Sequence, residues 1–150
     1  MADEQQTVFN VEKVYLKDVS FESPKAPAVF KTSGSPEMDV QLNHSTSNLG
    51  EGRYEAVLAL TITATHEEEP VFLVEVQQAG VFHIQNVNDE QLKVILGVHC
   101  PHLLFPYARQ IISELTTQGG FPPLLLSPVN FEALYQHHVQ KGTSEQSTTH

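Results

Sequence analysis

Cysteine is almost absent from this sequence, and basic side chains and long apolar runs are scarce. The single cysteine, Cys100, excludes an internal disulfide and fits a reducing compartment. The formal net charge of −10 argues against nucleic acid and anionic lipid as partners. No apolar run approaches the ~20 residues that cross a bilayer, so we expect no membrane insertion. Residues 1–7 are acidic and polar, so we also expect no export leader and a cytoplasmic location.

Motifs of nucleotide, dinucleotide and acyl chemistry are missing as well. The sequence contains no P-loop and no GxGxxG, GxSxG, CxxC or HExxH. One group of side chains, His99, Cys100 and His102, could bind a metal or form a nucleophile and base. Zinc needs four ligands, however, and the apolar flanks of Cys100 are typical of an inert, packed thiol. We therefore expect no catalysis, metal or cofactor, with a small oligomeric enzyme using these three residues as the alternative.

The most distinctive stretch is an apolar block from Val98 to Phe131. It contains a predicted helix that ends at Gly119-Gly120 and carries Pro106, which favours a kink or a late start. The apolar side chains of this helix spread over roughly half of its surface, more than one sheet covers. They are Leu103, Leu104, Phe105, Tyr107, Ala108, Ile111, Ile112 and Leu115. Another helix or another subunit must cover the remainder.

Upstream of this block, period-2 alternation predicts four strands. We place them at Val8–Glu22, Glu37–Asn43, Arg53–Thr65 and Val71–Ile84. A short helix over 86–97 with Asn88 as N-cap follows, and Asn130 caps a last helix from Phe131 to about Gln140. The predicted fold class is α+β: a four-stranded antiparallel sheet with helices packed on one face. The first strand has apolar residues on both faces, which indicates burial on both sides or a bulge near its middle.

Two irregular segments carry apolar side chains. The long loop 23–36 contains Val29 and Phe30, and the proline-rich run after Gly120 should lie extended over a surface. We expect apolar grooves lined by residues of these segments and of the main helix, although each could equally belong to the core. The expected lining is Val29, Phe30, Leu104, Tyr107, Phe121, Leu124 and Leu126. The predicted domain covers residues 8–140, between a flexible tail over 1–7 and a disordered polar tail over 141–150.

Four segments resemble one family, the SecB chaperones of bacterial protein export. They are KVYLKDVSFESPKAP at 13–27, FLVEVQQAGVF at 72–82, CPHLLFPYAR at 100–109 and FPPLLLSPVNFEALY at 121–135. They occur in the family's order, and the resemblance covers residues 8–140. One departure is Val74, which stands where some members carry a cysteine.

The resemblance implies a homotetramer, a dimer of dimers in which first strands pair edge to edge and long helices lie between the sheets. It places Val74, Val76 and Gln78 at the oligomer interface. It also implies an ATP-independent holdase that keeps unfolded secretory precursors in the bacterial cytoplasm and passes them to the SecA motor. Several apolar contacts, each ~1.5–3 kcal/mol when buried, suit such an unselective binder.

The family's motor-binding residues map onto Asp18, Glu22, Leu73 and Glu75. The ligand implied is the basic, zinc-bearing C-terminal segment of SecA, so the metal belongs to the partner. Period-2 geometry allows these side chains to leave one sheet surface together, opposite the helices. A SecB-like chaperone of a toxin–antitoxin pair is the nearby alternative, and these four residues favour the export version.

Overall fold

A computed structural model describes residues 6–148 of the chain, with side chains described for residues 6–139. The elements are β1 (Val8–Glu22), a 3-10 turn (Ala28–Lys31), β2 (Glu37–Gly50), β3 (Arg53–His66), β4 (Glu69–Gln85), α1 (Asp89–Val94), a π-helical turn (Ile95–His99), α2 (Cys100–Gln118) and α3 (Phe131–Thr148). The four strands form one antiparallel sheet in the order β1-β4-β3-β2. The predicted α+β architecture is confirmed.

Strict alternation on the two central strands builds the core. The even-numbered residues of β3 and β4 are buried against α2, and we call this side of the sheet the helix face. They include Ala56, Leu58, Leu60, Ile62, Ala64, Phe72, Val74, Val76, Phe82 and Ile84. From α2, Leu104, Phe105, Ala108 and Ile112 enter the same core. The opposite side, the open face, has no helix packed on it among the described residues.

β1 is an edge strand with two bulges. Its register with β4 shifts between Val11 and Lys13 and again between Leu16 and Asp18. Each shift inserts one extra residue and so changes which residues share a face. The bulge alternative is therefore confirmed. Alternation alone would group Tyr15 with Phe9 and Val11 and put Leu16 on the other side, but the first bulge places Tyr15 on the open face and Leu16 on the helix face.

β2 is longer than the sequence predicts, since it continues from Asn43 to Gly50 and pairs with β3 throughout. The polar residues after Asn43 were predicted to form a loop. They form a strand because the pairing uses backbone groups, and an edge strand can expose polar side chains on its solvated sides. The reversal comes only at Glu51 and Gly52, which have positive φ angles of 56° and 77°.

The predicted short helix and main helix are continuous, because the π-helical turn joins α1 to α2 without a break. Asn88 caps α1 through a reciprocal pair of hydrogen bonds with Gln91, as predicted. The π-helical turn ends at His99, two residues before Pro101, which has no N–H to donate to that turn. Pro106 is accommodated inside α2. None of the helices within residues 6–148 has the length and hydropathy needed to cross a membrane.

α3 begins at the predicted cap, since Asn130 Oδ1 accepts a hydrogen bond from the backbone N–H of Ala133 at 2.9 Å. Its predicted end near Gln140 is wrong, because the helix continues to Thr148. The residues beyond Gln140 contain no proline that would stop a helix. The flexible tail over 1–7 and the disordered tail over 141–150 stay predictions, and residues 1–5 and 149–150 lie outside the described residues.

Candidate binding surfaces

An open groove lies where the segment after β1 meets the connection between α2 and α3. It encloses about 430 Å³ and is lined by Val29, Phe30, Phe72, Phe121 and Leu124, among others. We call this surface the aromatic groove. The Phe121 ring lies 5.0 Å from that of Phe72 and 5.4 Å from that of Phe30, between ring centroids. Phe30 is 51% exposed, so the groove presents an aromatic face that no side chain within residues 6–139 fully covers.

The end of α2 gives the groove its shape. Gly119 lies against the Phe21 ring, and a Cβ placed there would come within 2.3 Å of Cζ. Thr116, fully buried, donates from Oγ1 to the carbonyl of Ile112 and accepts the N–H of Leu124 at 3.0 Å. These contacts hold the proline-rich connection extended over the helix face, as the sequence predicts.

The seven residues expected to line a groove do not all meet. Val29, Phe30, Phe121 and Leu124 do, in the aromatic groove. Leu104 is fully buried in the core, so it has no surface to offer, and Tyr107 is exposed on the outward side of α2. Leu126 packs against the core outside this groove. Leu104 therefore follows the alternative that the sequence left open, a place in the core, and its role in client binding stays a prediction.

Asp18, Glu22, Leu73 and Glu75 come together on the open face, in what we call the acidic patch. The register sets Glu22 opposite Leu73, Ser20 opposite Glu75 and Asp18 opposite Gln77. Leu73 is half-buried and the carboxylates are exposed. Within the described part of the chain, none of the patch carboxylates forms an ion pair. The juxtaposition predicted from alternation is therefore present, whereas its role stays a prediction.

Both bulges of β1 carry a charged residue that reaches over β4 to β3. At the first bulge, Glu12 accepts from Arg53 Nε at 2.9 Å. At the second, Lys17 Nζ donates to both carboxylate oxygens of Glu55 at 3.0 Å. The Tyr15 hydroxyl donates to the same carboxylate. The hydrogen bond from Tyr15, followed by that from Lys17, lowers the pKa of Glu55.

The predicted interface residues on β4 belong to the protomer's own core. Val74, Val76 and Gln78 are at most 4% exposed, and Gln78 donates to the Tyr15 carbonyl at 3.0 Å. These side chains are covered within one chain, and their role at an oligomer interface stays a prediction. The exposed apolar residues are their neighbours on β1, which the sequence analysis did not single out: Phe9, Val11, Leu16 and Val19, each 37–41% exposed on the helix face.

The alternative active site is not assembled. Cys100 is fully buried, and burial raises the pKa of its thiol to about 12, so it stays protonated and weakly nucleophilic. His99 is exposed, and His102 contacts the Phe131 ring edge to face. No three His, Cys, Asp or Glu side chains among the described residues are close enough to share a metal ion.

Comparison with known proteins decides the family. The profile described as "Preprotein translocase subunit SecB" matches residues 2–142. The chain belongs to the SecB family. Among SecB relatives, the protein-export protein SecB of Methylobacillus flagellatus is 49% identical over 99% of this chain and 96% of its own length. That of Chromobacterium violaceum is 50% identical over 93% of each chain.

The fold is also found in a distant SecB-like structure. A Mycobacterium tuberculosis SecB-like chaperone, solved in complex with a ChAD peptide from the HigA1 antitoxin, superposes with a TM-score of 0.68. It covers 81% of this chain and 91% of its own, at 15% sequence identity. At that identity the likeness shows the shared fold and nothing of the ligand.

Proposed function

We propose that this chain is a protein-export chaperone that binds unfolded secretory precursors without nucleotide and passes them to SecA. The family assignment and near-full-length relatives named protein-export proteins support the export role. The observation that carries the binding mechanism is the aromatic groove with its exposed Phe30 ring. The toxin–antitoxin alternative draws support only from a neighbour whose likeness shows the fold.

The groove suits an unfolded client because it offers shape-tolerant contacts. Aromatic rings bury large areas and accept many partners, and most of the lining of this groove is apolar, so it does not demand a fixed client sequence. An unfolded chain exposes such apolar side chains, whereas the folded protein hides them. Binding the unfolded state therefore slows folding by mass action and needs no chemical energy.

Refolding of a denatured precursor tests the holdase function. We expect the protein to slow refolding in the absence of ATP, and Phe30→Ser to weaken this effect several-fold. Because Phe30 is already half exposed, the midpoint of thermal unfolding of the Phe30→Ser protein should differ little from that of the native protein. Leu125→Ser removes an apolar side chain that is 71% exposed in the same connection but outside the groove, and should hold clients normally. Equal holding by all three proteins would contradict a client site in the aromatic groove.

For the motor, we propose that the acidic patch receives the basic, zinc-bearing C-terminal segment of SecA. Exposed carboxylates around the half-buried Leu73 offer charge and one apolar contact to such a segment. Glu75→Lys should abolish binding in a calorimetric titration while leaving assembly and client holding intact. Glu90→Lys makes the same charge change on α1 and should bind normally, since charges beyond ~10 Å are screened at 0.1 M salt.

A further inference from the structure

Lys17 is the cation closest in sequence to the acidic patch, and it is directed away from it. The second bulge of β1 makes Lys17 the extra residue, directly before Asp18. Both side chains lie on the open face: Lys17 reaches Glu55, and Asp18 stands opposite Gln77. Neighbouring opposite charges at a surface attract one another, so a free Lys17 would fold back over Asp18.

Glu55 draws Lys17 in the other direction. It lies opposite Val81, and Val81 is four residues along β4 from Gln77, so Glu55 is displaced by about 13 Å along the sheet. Ala79, which faces Tyr15 across the strands and is fully buried, leaves room for side chains of β1 to cross β4. Tyr15 fixes the carboxylate from beside Lys17 through its own hydrogen bond.

We propose that Glu55, oriented by Tyr15, is a positioning residue that withholds Lys17 from the acidic patch and so keeps the patch negative for its basic partner. This inference rests on the proposed docking of the SecA segment at that patch. Glu55 itself need not touch the partner. The Glu55 side chain is only 16% exposed, whereas the Lys17 side chain is 45% exposed and able to swing when released.

A double-mutant cycle on the full-length protein tests this proposal by titration with the basic SecA segment at low salt. Glu55→Gln releases Lys17 and should weaken binding roughly two- to five-fold, with a shallower salt dependence. Lys17→Met alone should change the affinity little, since Lys17 is already held away. In the Glu55→Gln background the same Lys17→Met change should restore most of the affinity. Lys17→Met thus increases the affinity for the SecA segment more in the Glu55→Gln background than in the native protein.

Two controls separate positioning from net charge. Glu12→Gln removes one carboxylate from the other bulge and frees Arg53, farther along the open face, and should keep normal affinity. Tyr15→Phe changes no charge at neutral pH. It should weaken binding partially, because the Glu55 carboxylate loses the hydrogen bond that orients it towards Lys17. Additive effects of Glu55→Gln and Lys17→Met would overturn the proposal, since overall charge acts additively at distant sites. If the unmodified protein did not bind the SecA segment, or if Glu75→Lys bound it normally, the result would instead contradict the proposed docking at the acidic patch.

Discussion

Tyr15 keeps its proton to unusually high pH in this fold. Burial, followed by the hydrogen bond to Glu55 and its negative charge, raises the pKa of Tyr15 to about 12. The unfolded chain releases this proton near the ordinary tyrosine value of ~10. The stabilisation is therefore fully present below pH 10 and is lost as the pH rises towards 12.

Alkaline unfolding measures this linkage. Between pH 10 and 12 the free energy of unfolding of the native protein should fall more steeply than that of Tyr15→Phe, which has no hydroxyl proton to lose. Urea titrations at several pH values give both curves, and the difference isolates Tyr15 from lysines that titrate in the same range. Parallel curves would show that the folded protein does not raise the pKa of Tyr15.

Single residues were predicted from sequence only when their partners are local. The caps at Asn88 and Asn130 follow from the three residues after each, and both are confirmed. Tyr15 and Glu55 are 40 residues apart, and the face on which Tyr15 lies depends on a bulge that alternation alone cannot position. This network was missed for that reason.

At the scale of elements, the α2–α3 connection depends on one close approach. Gly119 has an ordinary helical φ of −74°, so alanine suits its backbone, but the added methyl meets the Phe21 ring. Gly119→Ala should therefore lower the stability by about 1–3 kcal/mol through overpacking. In the Phe21→Leu background the same substitution should cost less, because the smaller side chain leaves space. Thermal unfolding of the four proteins decides it; an equal cost in both backgrounds would place the strain elsewhere.

Element types were more predictable than element ends. Alternation located all four strands, yet β2 was cut short at Asn43 because polar residues on an edge strand look like a loop. The helix around Cys100 was recognised, but the π-helical turn that joins it to α1 has no sequence signature of its own. Both errors arise where backbone hydrogen bonding, rather than side-chain burial, decides the conformation.

For the whole molecule, we propose that the tetramer implied by the family resemblance is held together in part by an apolar row on β1: Phe9, Val11, Leu16 and Val19. These half-exposed side chains lie along a free sheet edge, where a second copy of β1 can pair with the backbone and cover them. They are a second candidate for the oligomer interface, beside the buried Val76 that the resemblance places there. Replacing Val76 by arginine should unfold the protomer rather than separate subunits, because Val76 is 1% exposed.

Light scattering on three proteins tests this assembly. The native chain should have about four times the 16.7 kDa mass of one chain. Val19→Glu puts a charge into the apolar row and should shift the protein to smaller species, whereas Ser20→Glu adds the same charge on the open face and should not. A monomeric native protein would contradict the tetramer, and a tetrameric Val19→Glu would place the contact elsewhere.

Phe72 and Leu73 share a peptide bond, and yet one lines the aromatic groove and the other belongs to the acidic patch. The two surfaces are thus back to back on one pleat of β4, so the client and the motor segment proposed for them would not compete for space. Any energetic coupling between them must be reciprocal: a client that tightens motor binding tenfold is itself tightened tenfold by the motor. If docking at the acidic patch weakened client binding, the motor would by the same coupling bind the client-free chaperone more tightly than the loaded one. If the motor instead binds the loaded chaperone more tightly, its docking at the acidic patch also tightens client binding. Release of the client would then need other contacts, or energy supplied by the motor.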